Sequence, residues 1–236
     1  MSERSDPAGA AASQDRECLE ADATRGRIVE LQLVPVQGGF DAAHLCEVNR
    51  RIFQDLPSLG FIEVTPGQYR PEVPSGNWMK NRGLTTMAGD FFVAYSPMNA
   101  HSHARIDEVL RHADPARLAE LNTPAFTSAV AQLYAELDYL HPFADGNSRT
   151  LRTFTRQLAN ASGYELEWER FNVSSSTRDA LYIARDKAVN AIALPQMQNE
   201  RSMMRIVSAM KRLTRFMSLA QLLEEQGAVF PLALRS

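Results

Sequence analysis

From Phe126 to Leu140 the apolar residues recur at helical spacing. Phe126, Val130, Leu133, Tyr134, Leu137 and Leu140 fall on one helical face, and a stripe that wide has to be buried. The stripe ends just before His141. A second pattern starts near Asn147, keeps Leu151, Phe154 and Leu158 on one side, and stops at Gly163, a typical residue past a helix C-terminus. The chain is thus bound to a helical core with a short loop at its centre, and that loop runs straight into the N-terminus of the second helix.

The flanking sequence extends the same class of fold. Asp41 can cap a helix carrying Leu45, Val48, Ile52 and Phe53 on one face. A loop rich in Pro and Gly follows, from Pro57 to Gly76. Next, GLTTMAGDFFVAY (83–95) reads as two short extended runs around Met87 to Asp90, a β-hairpin. Ile106, Val109 and Leu110 mark a short helix. Ser176 or Thr177 can cap another, with Leu181, Ala184, Ala188 and Ile192 inward. Met203, Ile206, Val207, Met210 and Leu213 form a last stripe, which reads as core packing rather than a cofactor site. Residues 1–25 are rich in Ala, Ser and charge with few large apolar side chains, which predicts a mobile tail. Residues 26–236 then make one mostly α-helical domain with a small β-hairpin.

Composition narrows the function. The formal net charge of −3 gives no surface built to coat nucleic acid or an anionic membrane. Cys18 and Cys46 form no CxxC pair, and Cys46 reads as a small buried hydrophobe. No apolar run is long enough to span a bilayer and the N-terminus lacks a secretory signal, so a cytoplasmic protein is expected.

The central loop, HPFADGNSRTLR (141–152), carries the chemistry. A Gly-containing turn at a helix N-terminus presents unpaired backbone N–H groups and the positive end of the helix dipole, which makes an anion site. Gly146, Asn147 and Ser148 supply that turn. Arg149 and Arg152 lie one helical turn apart, and two guanidinium groups there suit a polyphosphate. Asp145, a single carboxylate at the lip, fits Mg²⁺, which takes one or two carboxylates and completes its shell with water and substrate phosphates. His141 is the group able to accept a proton near neutral pH. Each element has an ordinary reading by itself, as a loop histidine, a turn residue or a solvated arginine. The combination describes a nucleotidyl- or phosphoryl-transfer site. His101 and His103 have a spacing that can bind metal but lack a third ligand nearby, and read as surface residues.

This stretch resembles the signature of Fic-domain proteins, H-x-F-x-[DE]-G-N-[GK]-R-x-x-R. His141, Phe143, Asp145, Gly146, Asn147, Arg149 and Arg152 match it, and Ser148 is the single departure. VNRRIFQD (48–55), PGQYR (66–70) and LYAELDYLHPF (133–143) are similar to the family's helix, Gly-x-x-Arg turn and approach to the motif. The resemblance runs over roughly residues 40 to 195. It implies a Fic-type helical bundle with a small β-hairpin flap, and an enzyme that moves AMP from ATP to a hydroxyl of a target protein. On that likeness His141 would be the base, Phe143 the loop anchor and Asp145 the Mg²⁺ ligand. Gly146, Asn147 and Ser148 would form the anion hole, with Asn147 orienting the α-phosphate side. Arg149 and Arg152 would contact the β- and γ-phosphates, and the hairpin would align a target segment by strand-like pairing.

Family members with Gly at the position of Ser148 transfer AMP, and a kinase-like branch has Lys there. Serine is short and keeps its N–H, which favours adenylylation and leaves the choice of nucleotide open. A kinase-like phosphotransferase and a non-catalytic interaction module are the alternatives. Many members are held off by a helix bearing [ST]-x-x-x-E-[GN]. The nearest match here is Ser13 to Glu17, followed by Cys18 and set in the expected tail. The resemblance therefore implies either a separate small antitoxin protein, whose glutamate would pair with the motif's second arginine, Arg152, or an enzyme unregulated in cis and controlled by delivery or expression. The first is favoured, and AMP transfer is expected to be indifferent to loss of residues 1–25. The target is a protein with an exposed Tyr, Ser or Thr hydroxyl, met in the cytoplasm or, for a translocated effector, in a host cell.

Overall fold

Polar side chains at the helix starts set the element boundaries. Asp41, Asn99, Asn122, Ser174, Asn199 and Ser218 have extended backbones, and each side-chain oxygen accepts a backbone N–H of the first turn. A cap of this kind is worth about 1 kcal/mol. The computed structural model describes residues 7–74 and 76–232. It runs α1 (Pro7–Leu33), α2 (Ala42–Phe53), β1 (Trp78–Arg82), β2 (Phe91–Tyr95), α3 (Ala100–Leu110), α4 (Pro115–Ala119), α5 (Thr123–Leu140), α6 (Asn147–Ala161) and β3 (Tyr164–Leu166). Then come α7 (Ser175–Ala193), α8 (Glu200–Leu213), α9 (Leu219–Glu225) and β4 (Val229–Pro231).

The fold is mostly helical, and α5 is its axis. Phe126, Val130, Tyr134 and Leu137 are fully buried, and the helix packs against α3, α6, α7 and α9. Helix α2 closes over α6, while β1 and β2 form an antiparallel hairpin that rests on α7 and α8. The second small sheet pairs β3 with β4, again antiparallel.

Three expectations need correction. The stretch read as a mobile tail is helical from Pro7 onward, with residues 1–6 outside the described part. Its alanines, with Glu, Arg and Leu, have high helix propensity, which a reading based on hydrophobic burial undervalues. The helix is fixed by tertiary contacts: Leu31 and Thr24 are buried, Arg16 pairs with Glu63 at 2.5 Å and lies over the Phe61 ring. The hairpin also sits differently, because its first strand is Trp78–Arg82 and Gly83 to Asp90 form the connection. That connection packs Leu84 and Met87 against Phe91, Ile183 and Leu213 and is tied down from outside. Asp179 of α7 accepts from Thr86 N and Oγ1, and Arg212 of α8 donates to the Ala88 carbonyl. Finally, Ser174 rather than Ser176 caps α7, with Thr177 returning a hydrogen bond to close a capping box. Helix α7 buries Asp179, Arg185, Asp186 and Asn190 among its apolar residues, which its hydrophobic spacing does not reveal.

Candidate active site

Helix α5 ends on a strained residue. His141 has φ 47° and ψ 58°, the left-handed region, where a residue other than glycine costs about 1–3 kcal/mol. Arg70, itself buried, holds it there: Nε donates to the His141 carbonyl at 2.7 Å and Nη2 to the Ser96 carbonyl at 2.6 Å. The reversal turns the imidazole onto the hairpin. Tyr95 stacks on the ring with centroids 3.8 Å apart, and Trp78 meets it edge-on at 5.2 Å. His141 is 8% exposed. Burial lowers its pKa from the ordinary imidazole value; the neighbouring Asp138 opposes this, and Arg70 and Arg185 add to the depression. The ring is therefore neutral at physiological pH, the form that accepts a proton.

The loop after His141 is shaped by Asn147. Its Oδ1 accepts from Phe143 N at 2.9 Å and its Nδ2 donates to the Phe143 carbonyl at 2.7 Å. The amide expected to orient a phosphate is thus committed to folding the loop over the buried Phe143. Gly146 starts α6 with φ 71°, and a Cβ there would lie 1.9 Å from Phe53 Cζ. Both the dihedral and the space demand glycine. The result is a tight turn whose backbone leads into a fifteen-residue helix, with Ser148 on its first turn. Ser148 Oγ accepts from Arg185 Nη1 at 3.2 Å, so the hydroxyl is turned towards α7.

The two arginines diverge. Arg149 leans to α1 and α2, donating to Glu20 Oε1 at 2.5 Å and Thr24 Oγ1 at 3.0 Å, with its guanidinium 4.7 Å from the Phe53 ring. Arg152, half-buried, lies 5.9 Å from the Trp168 ring, and its buried Nε has no hydrogen-bond partner among the described residues. Asp145 is at the lip with a side chain 72% exposed; Oδ1 accepts from Gly146 N and Oδ2 is 3.9 Å from Arg149. A cleft of about 530 Å³ opens beside the loop, lined by Asp145, Phe143, Asn49, Phe53, Glu20 and Arg16. His101 and His103 are exposed and apart from this site, His103 lying against Tyr69.

Several contributors were not singled out as site residues in the sequence. Glu20 is one turn from Glu17, which is exposed, so the helix presents a different glutamate to the motif from the one its partial signature marks. Asp138 is fully buried three residues before His141, and Arg185 bonds it from α7. A lone Asp inside the α5 stripe, and charged residues inside the α7 stripe, were the available signals.

The fold and the motif have known relatives. The family model described as Fic/DOC matches residues 39–159, just over half of the chain. The chain is 26% identical over 157 residues to the protein adenylyltransferase VbhT of Bartonella schoenbuchensis, covering 66% of this chain and 28% of that protein. It is 28% identical over 153 residues to a protein adenylyltransferase of Bartonella henselae, covering 61% of this chain and 25% of that protein. The chain thus spans about a quarter of the length of these curated relatives. Among solved structures, the N-terminal Fic domain of a VirB-translocated Bep effector protein from Bartonella quintana, with bound ADP, superposes with a TM-score of 0.55. It has 17% identity and covers 93% of this chain and 87% of that one. The BepC protein of Bartonella tribocorum, with bound AMPPNP, gives 0.57 at 13% identity over 92% and 88% of the two chains.

Proposed function

The chain belongs to the Fic/DOC family, and on that premise we propose that it is a protein adenylyltransferase, moving AMP from ATP to a Tyr, Ser or Thr hydroxyl of a target protein. The observation that carries this is the pairing, across one short loop, of a buried histidine with a glycine turn at a helix N-terminus followed by two arginines. His141 takes the proton from the target hydroxyl. The hydroxyl oxygen bonds to the α-phosphorus as the bridging bond to the β-phosphate breaks, and pyrophosphate leaves. The N–H groups at the start of α6 face the charge that develops on the phosphate, and Arg149 and Arg152 bind its β and γ groups. Arg152 has a buried N–H to spare for this. Asn147 keeps the turn in shape through Phe143.

The residues fit Mg²⁺. Asp145 is one exposed carboxylate beside the turn, which matches an ion bound chiefly through phosphate oxygens and water. Asp145 would hold it, and the ion would supply neutralisation of the phosphate charge. Ser148 favours AMP transfer over phosphorylation, because its hydroxyl is drawn to Arg185 and leaves the turn open, where a lysine would fill it. Within this chain Glu20 pairs with Arg149, the first arginine of the motif, whereas the glutamate of a separate antitoxin would pair with the second, Arg152. Among the described residues no helix is long and apolar enough to cross a membrane.

The test is transfer of label from ATP carrying it on the α- or the γ-phosphate to proteins of a cell lysate. Label from the α position alone is the expected result. Label from the γ position would establish the kinase-like reaction instead, and no label from either would support the non-catalytic module.

A further inference from the structure

His141 Nδ1 and Asp138 Oδ1 are both buried, neither has a hydrogen-bond partner elsewhere among the described residues, and they face each other at 3.6 Å. That is slightly long for a hydrogen bond, but a small ring rotation closes it, and each atom left orphaned in the interior carries a desolvation cost. The other oxygen of Asp138 is fixed. Arg185 of α7 donates to Oδ2 from Nη2 at 2.8 Å and from Nε at 3.1 Å, while its Nη1 reaches Ser148 Oγ at 3.2 Å. One guanidinium therefore joins the carboxylate behind the histidine to the turn that faces the phosphates. Both side chains are essentially closed to solvent, at 3% and 0% exposure.

We infer that Asp138 is a positioning residue that keeps the proton of His141 on Nδ1, leaving Nε2 as the free base, and that Arg185 sets Asp138 in place and couples it to Ser148. A buried carboxylate oxygen can only accept, so it selects the imidazole tautomer that donates from Nδ1. The same division of labour operates wherever a carboxylate orients a catalytic imidazole. Burial alone would raise the Asp138 carboxyl, but Arg185 and His141 reverse this and hold it well below the usual carboxylate range. The groups facing the ring are Asp138 from α5, Arg70 from the preceding loop, Trp78 and Tyr95 from the hairpin, and Arg185 from α7. Arg82 and Asp186 form a buried ion pair just beyond Tyr95. Of these, only Asp138 both bears negative charge and adjoins Nδ1, and Arg70 and Arg185 both favour the neutral ring.

What the oriented nitrogen does rests on the AMP-transfer reading, whereas the orientation is a property of the folded chain and is measured separately. The experiment uses the full chain as wild type, Asp138→Asn and Asp138→Asn/Arg185→Gln, the double variant removing the lone buried cation that could unfold the single one. Nitrogen-15 spectra of the histidine rings, assigned with His141→Ala, should show the wild-type proton on Nδ1. The His141 titration should move to lower pH in Asp138→Asn, since a favourable charge is gone. Transfer of α-labelled AMP should lose about 10–100-fold in kcat in both variants, the share of a general base's effect that depends on its orientation, with KM for ATP within a few-fold. A wild-type proton on Nε2, an unmoved titration, or recovery of wild-type kcat in the double variant would each overturn the inference. Correct ring spectra in a protein that transfers no AMP would uphold the positioning and remove the transfer reading instead.

Discussion

Two residues of the motif loop owe their identity to different kinds of physics. On the proposed reaction His141 is chosen for chemistry, and its backbone is left-handed. His141→Ala should cut target labelling by roughly 10²–10⁴, the usual worth of a general base, while ATP binding by calorimetry stays within a few-fold. Since burial sets the His141 pKa below the ordinary imidazole value of 6.5, the acid limb of the rate profile should lie below that pH. A limb above it would mean that another group is titrating. Gly146, by contrast, is chosen for space and dihedral. Gly146→Ala places a methyl into the Phe53 ring at φ 71°, and overpacking of this sort costs about 1–3 kcal/mol before the backbone strain is added. The variant should melt several degrees lower and bind ATP poorly. A melting curve that overlays the wild type would show that Phe53 does not seal the turn.

At the level of elements, α1 and α7 decide how the site is framed. Helix α1 brings Glu20 and Thr24 onto Arg149, the arginine that the proposed reaction would turn to the nucleotide. Arg149 cannot serve Glu20 and a phosphate with the same N–H, so Glu20→Ala should raise AMP transfer, and lower the KM for ATP, by several-fold. An unchanged rate would return α1 to a purely structural role and restore the expectation that residues 1–25 are dispensable. Helix α7 acts on the other side. Asp179 fixes the hairpin connection at Thr86, Asp186 pairs with Arg82 of β1, and Asn190 bonds both Ala94 N and the Phe92 carbonyl of β2. The same helix supplies Arg185 to the motif. Hairpin and motif turn are therefore both tied to one helix, which suits the proposed reaction, in which the strand would hold a target segment in register with His141.

Over the whole molecule, stability and function share their buried ionisable groups. His44 and His141 are both held below the ordinary value of 6.5, in each case chiefly by burial, so both stay neutral in the fold. Below that pH the unfolded chain takes up protons that the folded chain refuses, and stability falls as pH drops. Asp138 adds a second loss at lower pH: its depressed pKa contributes above the unfolded value of 3.8 and that contribution fades as pH falls through the folded one. Melting temperatures should thus decline from just below pH 6.5 and more steeply below about 4, and a flat profile across that range would show the histidines to be solvated. The local order of residues determined the helical core, its caps at Asp41 and near Ser174, and the motif from His141 to Arg152, because helical periodicity and turn chemistry act over a few residues. Only the tertiary structure decided that α1 is ordered against Arg149, that β1 begins at Trp78, and that Arg185 reaches across to Asp138 and Ser148. Those outcomes rest on charged and polar side chains far apart in the chain, whose burial becomes favourable only once each has met its partner, and spacing along a sequence carries no record of that meeting.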